Sequence, residues 1–206
     1  MVRTSQRIKD DSPAKMPITS VLTLSSPLIS GCFYPTFGVI SEEYRNASFI
    51  ESFQFDYGFW VAPDTDPGNN NGPEEEEEGR DYSSLKPMGI SFDGLEFNNN
   101  TYLFGYPGAR DPDFMFTEGP IETSPLSEGG WFLPCSLLTA GASGGPWTQS
   151  DVKSGRMVVE AVNSWGWSNG DPGMGSPPFG AGAECVYDAA NTAEMDSSSF
   201  AANCPK

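Results

Sequence analysis

The 206 residues contain no histidine. That absence removes the usual base that activates a serine or cysteine nucleophile. It also removes the commonest zinc ligand. With four cysteines and no C-x-x-C pair, the sequence argues against a zinc site of the usual kinds, and no metal and no cofactor is expected. Positive charge is scarce too. Eleven Lys and Arg stand against 28 Asp and Glu, a formal net charge of -17. Phosphate backbones are bound by clustered Lys and Arg, so nucleic acid is excluded as a partner. No apolar run approaches the roughly 18 residues needed to span a bilayer, and no membrane partner is expected. A convincing signal peptide is missing as well. Residues 16–31 are only mildly apolar and carry Pro17, Pro27 and many hydroxyls. Nothing in the composition sets an oligomeric state.

Glycine (23) and proline (18) are plentiful, and long helical periods are few, which favours short strands joined by turns. Strands are expected at 18–24, 53–62, 88–92, 101–106 and 157–163, and residues 130–133 lead into the serine loop. Residues 63–86 break all pattern with Asn69-Asn70-Asn71 and the five glutamates 74–78, and read as a solvated loop or linker. Residues 107–129 and 170–182 read as irregular loops, and 187–195 as a short helix. Cys32, Cys135, Cys185 and Cys204 allow three pairings in twos. Cys185 with Cys204, which would staple the C-terminal tail, is the first expectation. Asn46-Ala47-Ser48 and Asn99-Asn100-Thr101 are glycosylation sequons, weak support for a secreted setting.

One stretch carries chemistry. In Gly141-Ala142-Ser143-Gly144-Gly145-Pro146-Trp147 a serine is set among glycines. Glycine lets the backbone turn tightly and bring N–H groups close to a reacting carbonyl. The spacing satisfies G-x-S-x-G, but that elbow leads from a strand into a helix. Here Pro146, Trp147 and a polar turn follow, so an α/β-hydrolase is rejected.

The same loop, from Thr139, resembles the active-serine loop of trypsin-like (chymotrypsin-fold) serine peptidases, closest to the secreted bacterial and fungal branch that includes glutamyl endopeptidases. Cys135 stands before the serine as in that branch, with one extra residue between. Further segments are similar in the same order: Gln54 to Trp60 (QFDYGFW), Phe104 to Gly108 (FGYPG), Val159 to Trp167 (VEAVNSWGW), Pro178-Phe179-Gly180 and Val186 to Ala190 (VYDAA). The likeness spans roughly residues 33–191. It implies an all-β fold of two antiparallel β-barrels with a short C-terminal helix. Ser143 would be the nucleophile and Asp56 the buried acid that orients an imidazole. The Gly141 and Ser143 N–H groups would form the oxyanion hole. Ser164, Trp165 and Gly166 would pair with an extended peptide by strand addition, and Leu137 would occupy the specificity position. The partner implied is a protein or peptide substrate, and the setting implied is extracellular.

Two departures stand beside the likeness. The family's Thr-Ala-x-His-Cys strand has no counterpart, so the first barrel is read as truncated. Glutamate-specific members also use a pocket histidine, and Leu137 replaces the acid of basic-specific ones. The organisation expected is a leader or unrelated segment at 1–30, a partial first barrel at 31–66, an acidic linker at 67–86, a second barrel at 87–190 and a tail at 191–206. The function expected is serine endopeptidase chemistry, inactive or incomplete without a histidine. The alternative is a non-catalytic pseudopeptidase that binds peptides or proteins.

Overall fold

A computed structural model describes residues 37–61, 88–108, 113–151, 154–167, 172–192 and 200–205. The expected strand at 18–24, the leader at 1–30 and the linker at 67–86 lie outside the described residues. In chain order the strands are β1 (Phe37–Ser41), β2 (Gly58–Val61), β3 (Gly89–Ile90), β4 (Thr101–Gly105), β5 (Met115–Gly119), β6 (Glu122–Thr123), β7 (Trp131–Leu133), β8 (Pro146–Ser150), β9 (Met157–Val162), β10 (Met174–Ser176) and β11 (Phe200–Ala202). The helices are α1 (Glu42–Asn46) and α2 (Ala181–Thr192), with a 3-10 turn at Glu51–Gln54. The fold is mostly β with a C-terminal helix, as expected.

Among the described residues three sheets form, in the orders β11-β1-β2, β10-β7-β6 and β3-β9-β8-β4-β5. No barrel closure is seen among the described residues. Two pairings, β1 with β11 and β3 with β9, are parallel; the rest are antiparallel.

Strand β9 explains how the sheets share one body. Its apolar run is unbroken but for Glu160, and both faces are buried. Ala161 belongs to a core with Leu103, Leu133, Trp147 and Met174. Val162 belongs to a second core with Phe37, Phe59, Phe179 and Val186. Successive strand residues point to opposite faces, so a strand between two cores must be apolar on both. The chain leaves β9 at the seam between those cores, and there the candidate site lies.

Several expectations need correction. The strand expected at 53–62 is a 3-10 turn followed by β2 alone. The loop expected at 107–129 holds β5 and β6, and that at 170–182 holds β10. The helix expected at 187–195 begins six residues earlier. Glycine at 182 hid that start, yet it is required. A Cβ there would lie 2.6 Å from the Tyr57 hydroxyl and 2.9 Å from the Pro205 carbonyl oxygen. The expected Cys185–Cys204 disulfide is present. It fastens the tail to α2, where β11 pairs with β1 in the register Val39↔Phe200. Cys135 is an exposed free thiol.

Glu160 is the charged residue buried within β9, at 7% exposure. Burial raises its carboxyl from 4.5 to about 7; Glu96, Asp151 and Asp93 push the same way, against a hydrogen bond with Ser91. Its Oε2 has no hydrogen-bond partner among the described residues. The folded pKa lies above the unfolded one, so the stabilisation is complete below about 4.5 and is lost as pH rises through about 7. Glu160→Gln is expected to match the parent near pH 4 and exceed it by about 1–2 kcal/mol at pH 8, allowing for partial solvent screening. Urea unfolding at the two pH values checks this; equal stabilities at pH 8 would refute it.

Candidate functional site

Ser143 sits in a turn just before β8. Gly141 and Gly144 on either side have φ of +98° and +68°, a region that side chains rarely adopt. Ala142 N–H donates to Thr139 O at 3.0 Å, and Gly145 N–H to Ala142 O at 3.0 Å. The N–H groups of Gly141 and Ser143 donate to no other described residue, and Ser143 Oγ makes no hydrogen bond within them. Among the described residues the turn therefore leaves one half-buried hydroxyl and two backbone donors unspent.

Asn163, which the sequence reading did not single out, holds this turn. It is 2% exposed. Its backbone N–H donates to Gly145 O at 2.8 Å, and its carbonyl accepts from Gly144 N–H at 2.6 Å. Its side-chain amide donates to Ala142 O at 2.8 Å and Phe104 O at 2.9 Å, and accepts from Trp147 Nε1 at 2.8 Å. The available signal was a lone amide ending the most apolar strand, directly before Ser164-Trp165-Gly166.

The next residue brings in the acid. Ser164 Oγ donates to Asp56 Oδ2 at 2.7 Å, across 108 positions of sequence. Asp56 is half-buried rather than buried. It lies between the 3-10 turn and β2, not within a strand. One chain path thus joins the two expected catalytic residues: Asp56 to Ser164, and adjacent Asn163 to the turn of Ser143. No hydrogen bond links Ser143 to Asp56 directly.

Trp165 is drawn into the wall of the site. Ser164 N–H and Trp165 N–H both donate to Gly175 O, at 2.9 and 3.3 Å, and Trp165 O accepts from Gly175 N–H at 2.7 Å. The Trp165 backbone is therefore already paired with β10 and is closed to a peptide, which corrects the expectation that all three residues pair outward. The Ser164 carbonyl and the Gly166 backbone have no partner among the described residues. The Trp165 indole stacks on Phe132, with ring centroids 5.4 Å apart. A Cβ on Gly175 would fall 1.9 Å from that indole, so the stack depends on the glycine.

Leu137 does not sit at the base of a buried pocket. It is 74% exposed between buried Ser136 and Leu138. Leu138 N–H donates to Ser136 Oγ, and this tight turn sends the side chain between them outward. Among the described residues no group of three or more His, Cys, Asp or Glu is placed to hold a metal ion. No described helix is long and apolar enough to cross a membrane.

No family model and no curated protein matches the sequence. Solved structures do resemble the fold. The thermostable serine protease AL20 from an extremophilic microorganism has a TM-score of 0.59 and 25% identity, covering 79% of this chain and 69% of that one. The protease Anisep from Arthrobacter nicotinovorans has a TM-score of 0.51 and 23% identity, covering 68% of this chain and 60% of that one. At that identity the second likeness speaks for the fold alone. The architecture of this chain is accordingly a protease-type β fold, similar to those of a solved serine protease and a second solved protease.

Proposed function

We propose that the Ser143 turn is the acyl-transfer centre of a serine endopeptidase. Ser143 is its nucleophile, and the Gly141 and Ser143 N–H groups are its oxyanion donors. Asp56 is the acid that orients an imidazole. A peptide lies along the Ser164 carbonyl and the Gly166 backbone, with Leu137 at the surface nearby. The observation that carries this reading is the Ser164–Asp56 hydrogen bond of 2.7 Å, one residue from the amide that holds the serine turn. The expected division into a partial first barrel (31–66) and a second barrel bearing the serine (87–190) belongs to the same reading. So do the secreted bacterial and fungal branch and an extracellular setting, the latter supported by the Cys185–Cys204 disulfide.

The 206 residues supply no imidazole. Hydrolysis by this chain is therefore expected to run roughly 10³-fold over water, the residue left when a triad member is missing. A fluorophosphonate probe tests the assignment. The parent is expected to label slowly, at Ser143, and Ser143→Ala not at all. Rapid stoichiometric labelling of the parent would overturn the need for histidine. Labelling that survives Ser143→Ala would remove the nucleophile assignment.

The absence of histidine favours a second reading, a pseudopeptidase that binds peptides through the same edge. Peptide affinity that persists in Ser143→Ala, with no turnover in the parent, supports it.

A further inference from the structure

One face of the sheet β3-β9-β8-β4-β5 is covered over its middle strands and bare toward β5. Leu103, Trp147 and Ala161 are cross-strand partners and point into one core. Their neighbours Phe104, Pro146 and Val162 therefore point the other way. Phe116, opposite Phe104 on β5, joins that second row. Along the row, cover is lost strand by strand. Val162 is fully buried in the core of Phe37, Phe59, Phe179 and Val186, which belongs to β1, β2 and α2. Pro146 is buried, Phe104 is half-buried and Phe116 is 61% exposed. What is left bare is aromatic. Phe114, 44% exposed, stacks on Phe104 at 5.9 Å, and Tyr106 approaches Phe114 at 5.0 Å. Contiguous exposed aromatics that continue a buried core to a sheet edge form a surface that another segment covers.

The chain enters the existing cover at Phe37 of β1, and 36 residues precede it. Among them Ile18 to Leu24 is expected as a strand and lies outside the described residues. Alternation along such a strand puts Ile18, Leu22 and Leu24 on one side and Thr19 and Thr23 on the other. No charge occurs from Met16 to Thr36. A strand apolar on one side is stable only when that side is packed on another element. Residues 25–36 reach up to about 40 Å when extended, against a radius of gyration of about 17 Å for a domain of this length. Charge agrees with this occupant. Residues 1–36 carry Arg3, Arg7, Lys9 and Lys15 against Asp10 and Asp11, so the segment is net positive on a chain of -17. The bare face is flanked by the exposed acids Asp113 and Glu118. A second copy of the chain would instead bring like charge against like.

We infer that residues 18–24 dock on the β4–β5 face, packing Ile18, Leu22 and Leu24 against Phe114 and Phe116. The segment completes the cover that β1, β2 and α2 begin, and its basic flank meets Asp113 and Glu118. The docking is independent of the chemistry at Ser143, which lies by the opposite face of β4: a Cβ on Gly105, one of that strand's buried residues, would lie 2.7 Å from Ala142 Cβ.

A double-mutant cycle in the full chain, read by urea unfolding, tests this. One arm is Phe114→Ser with Phe116→Ser, the second is Leu22→Ser with Leu24→Ser, and the third combines them. Each arm alone is expected to raise the unfolding equilibrium constant about 30-fold, the loss of two partly buried apolar pairs. The combined variant is expected to stay within about 100-fold, far short of the roughly 1,000-fold of independent sites, because each arm removes the same contact. Additive effects would place the segment elsewhere and overturn the docking. An effect under about threefold in the phenylalanine arm, the behaviour of an uncovered surface position, would overturn it too. Should the combined variant not fold, Phe116→Leu with Leu22→Ala forms a milder cycle read in the same way. Sedimentation velocity at two concentrations covers the remaining occupant. A parent dimer that the phenylalanine arm dissociates would assign the face to a second copy and overturn the docking; a monomer throughout, with coupled arms, upholds it.

Discussion

Asn163→Ala is expected to lower the stability of this protein by about 3–5 kcal/mol. Three hydrogen bonds are lost at once: those to the carbonyls of Phe104 and Ala142, of which the latter keeps only the Gly145 N–H, and that from the buried indole N–H of Trp147. Each buried hydrogen bond contributes about 1 kcal/mol, and a buried group left unsatisfied costs a further 1–3 kcal/mol. The site excludes bulk water, since Asn163 is 2% exposed and Trp147 fully buried, so solvent cannot repair the loss. Urea unfolding measures the effect. Asn163→Asp sharpens it, because a carboxylate can still accept from Trp147 but cannot donate to the two carbonyls. It is expected to lose stability as well. A loss under 1 kcal/mol in the alanine variant would show that the amide does not hold the turn.

Gly145→Ala is expected to have the second large effect, through space rather than hydrogen bonding. A Cβ at this position would lie 1.7 Å from the Phe104 carbonyl oxygen and 2.4 Å from Asn163 Nδ2. The first is backbone in the middle of a sheet and cannot swing aside. The residue is also pinned at both ends, by its N–H to Ala142 O and its carbonyl from Asn163 N–H. Overpacking of a well-fitted interior costs about 1–3 kcal/mol where side chains can yield. Here backbone must move, so a loss of about 3 kcal/mol or more is expected. Displacement of the turn should also suppress fluorophosphonate labelling at Ser143. Gly155→Ala serves as the control. That glycine has a positive φ, unlike Gly145, and a Cβ there would meet nothing within 4 Å, so it carries backbone strain without the collision. If the two variants are equally stable, the close approach at Gly145 is not what requires glycine.

Local chemistry is what the sequence states well. A serine framed by Gly141 and Gly144 already implies a turn with positive φ. A run such as Met157–Val162 already implies a strand buried on both faces. Scarce helical periods and abundant Gly and Pro already imply mostly strands, and Cys185 and Cys204 lie close enough in the chain to suggest the staple. The short strands β1, β5, β6, β7, β8, β10 and β11 were not legible, because runs of two to five residues are too short to show a period. They exist through pairing with distant partners, as Phe200 does with Val39.

The same division runs through the site. The sequence by itself determined the nucleophile candidate, the tight turn around it and the lack of an imidazole, since residue identities and local backbone preference decide these. Only the tertiary structure decided that Ser164 meets Asp56, that Asn163 clamps the turn, that Gly175 takes the Trp165 backbone and that Leu137 points outward. Each of those facts is a contact or an exposure set by which strands lie beside one another. Bringing Asp56 to Ser164 across 108 residues depends on the burial of both cores around β9, and nothing in the spacing of the two residues records it.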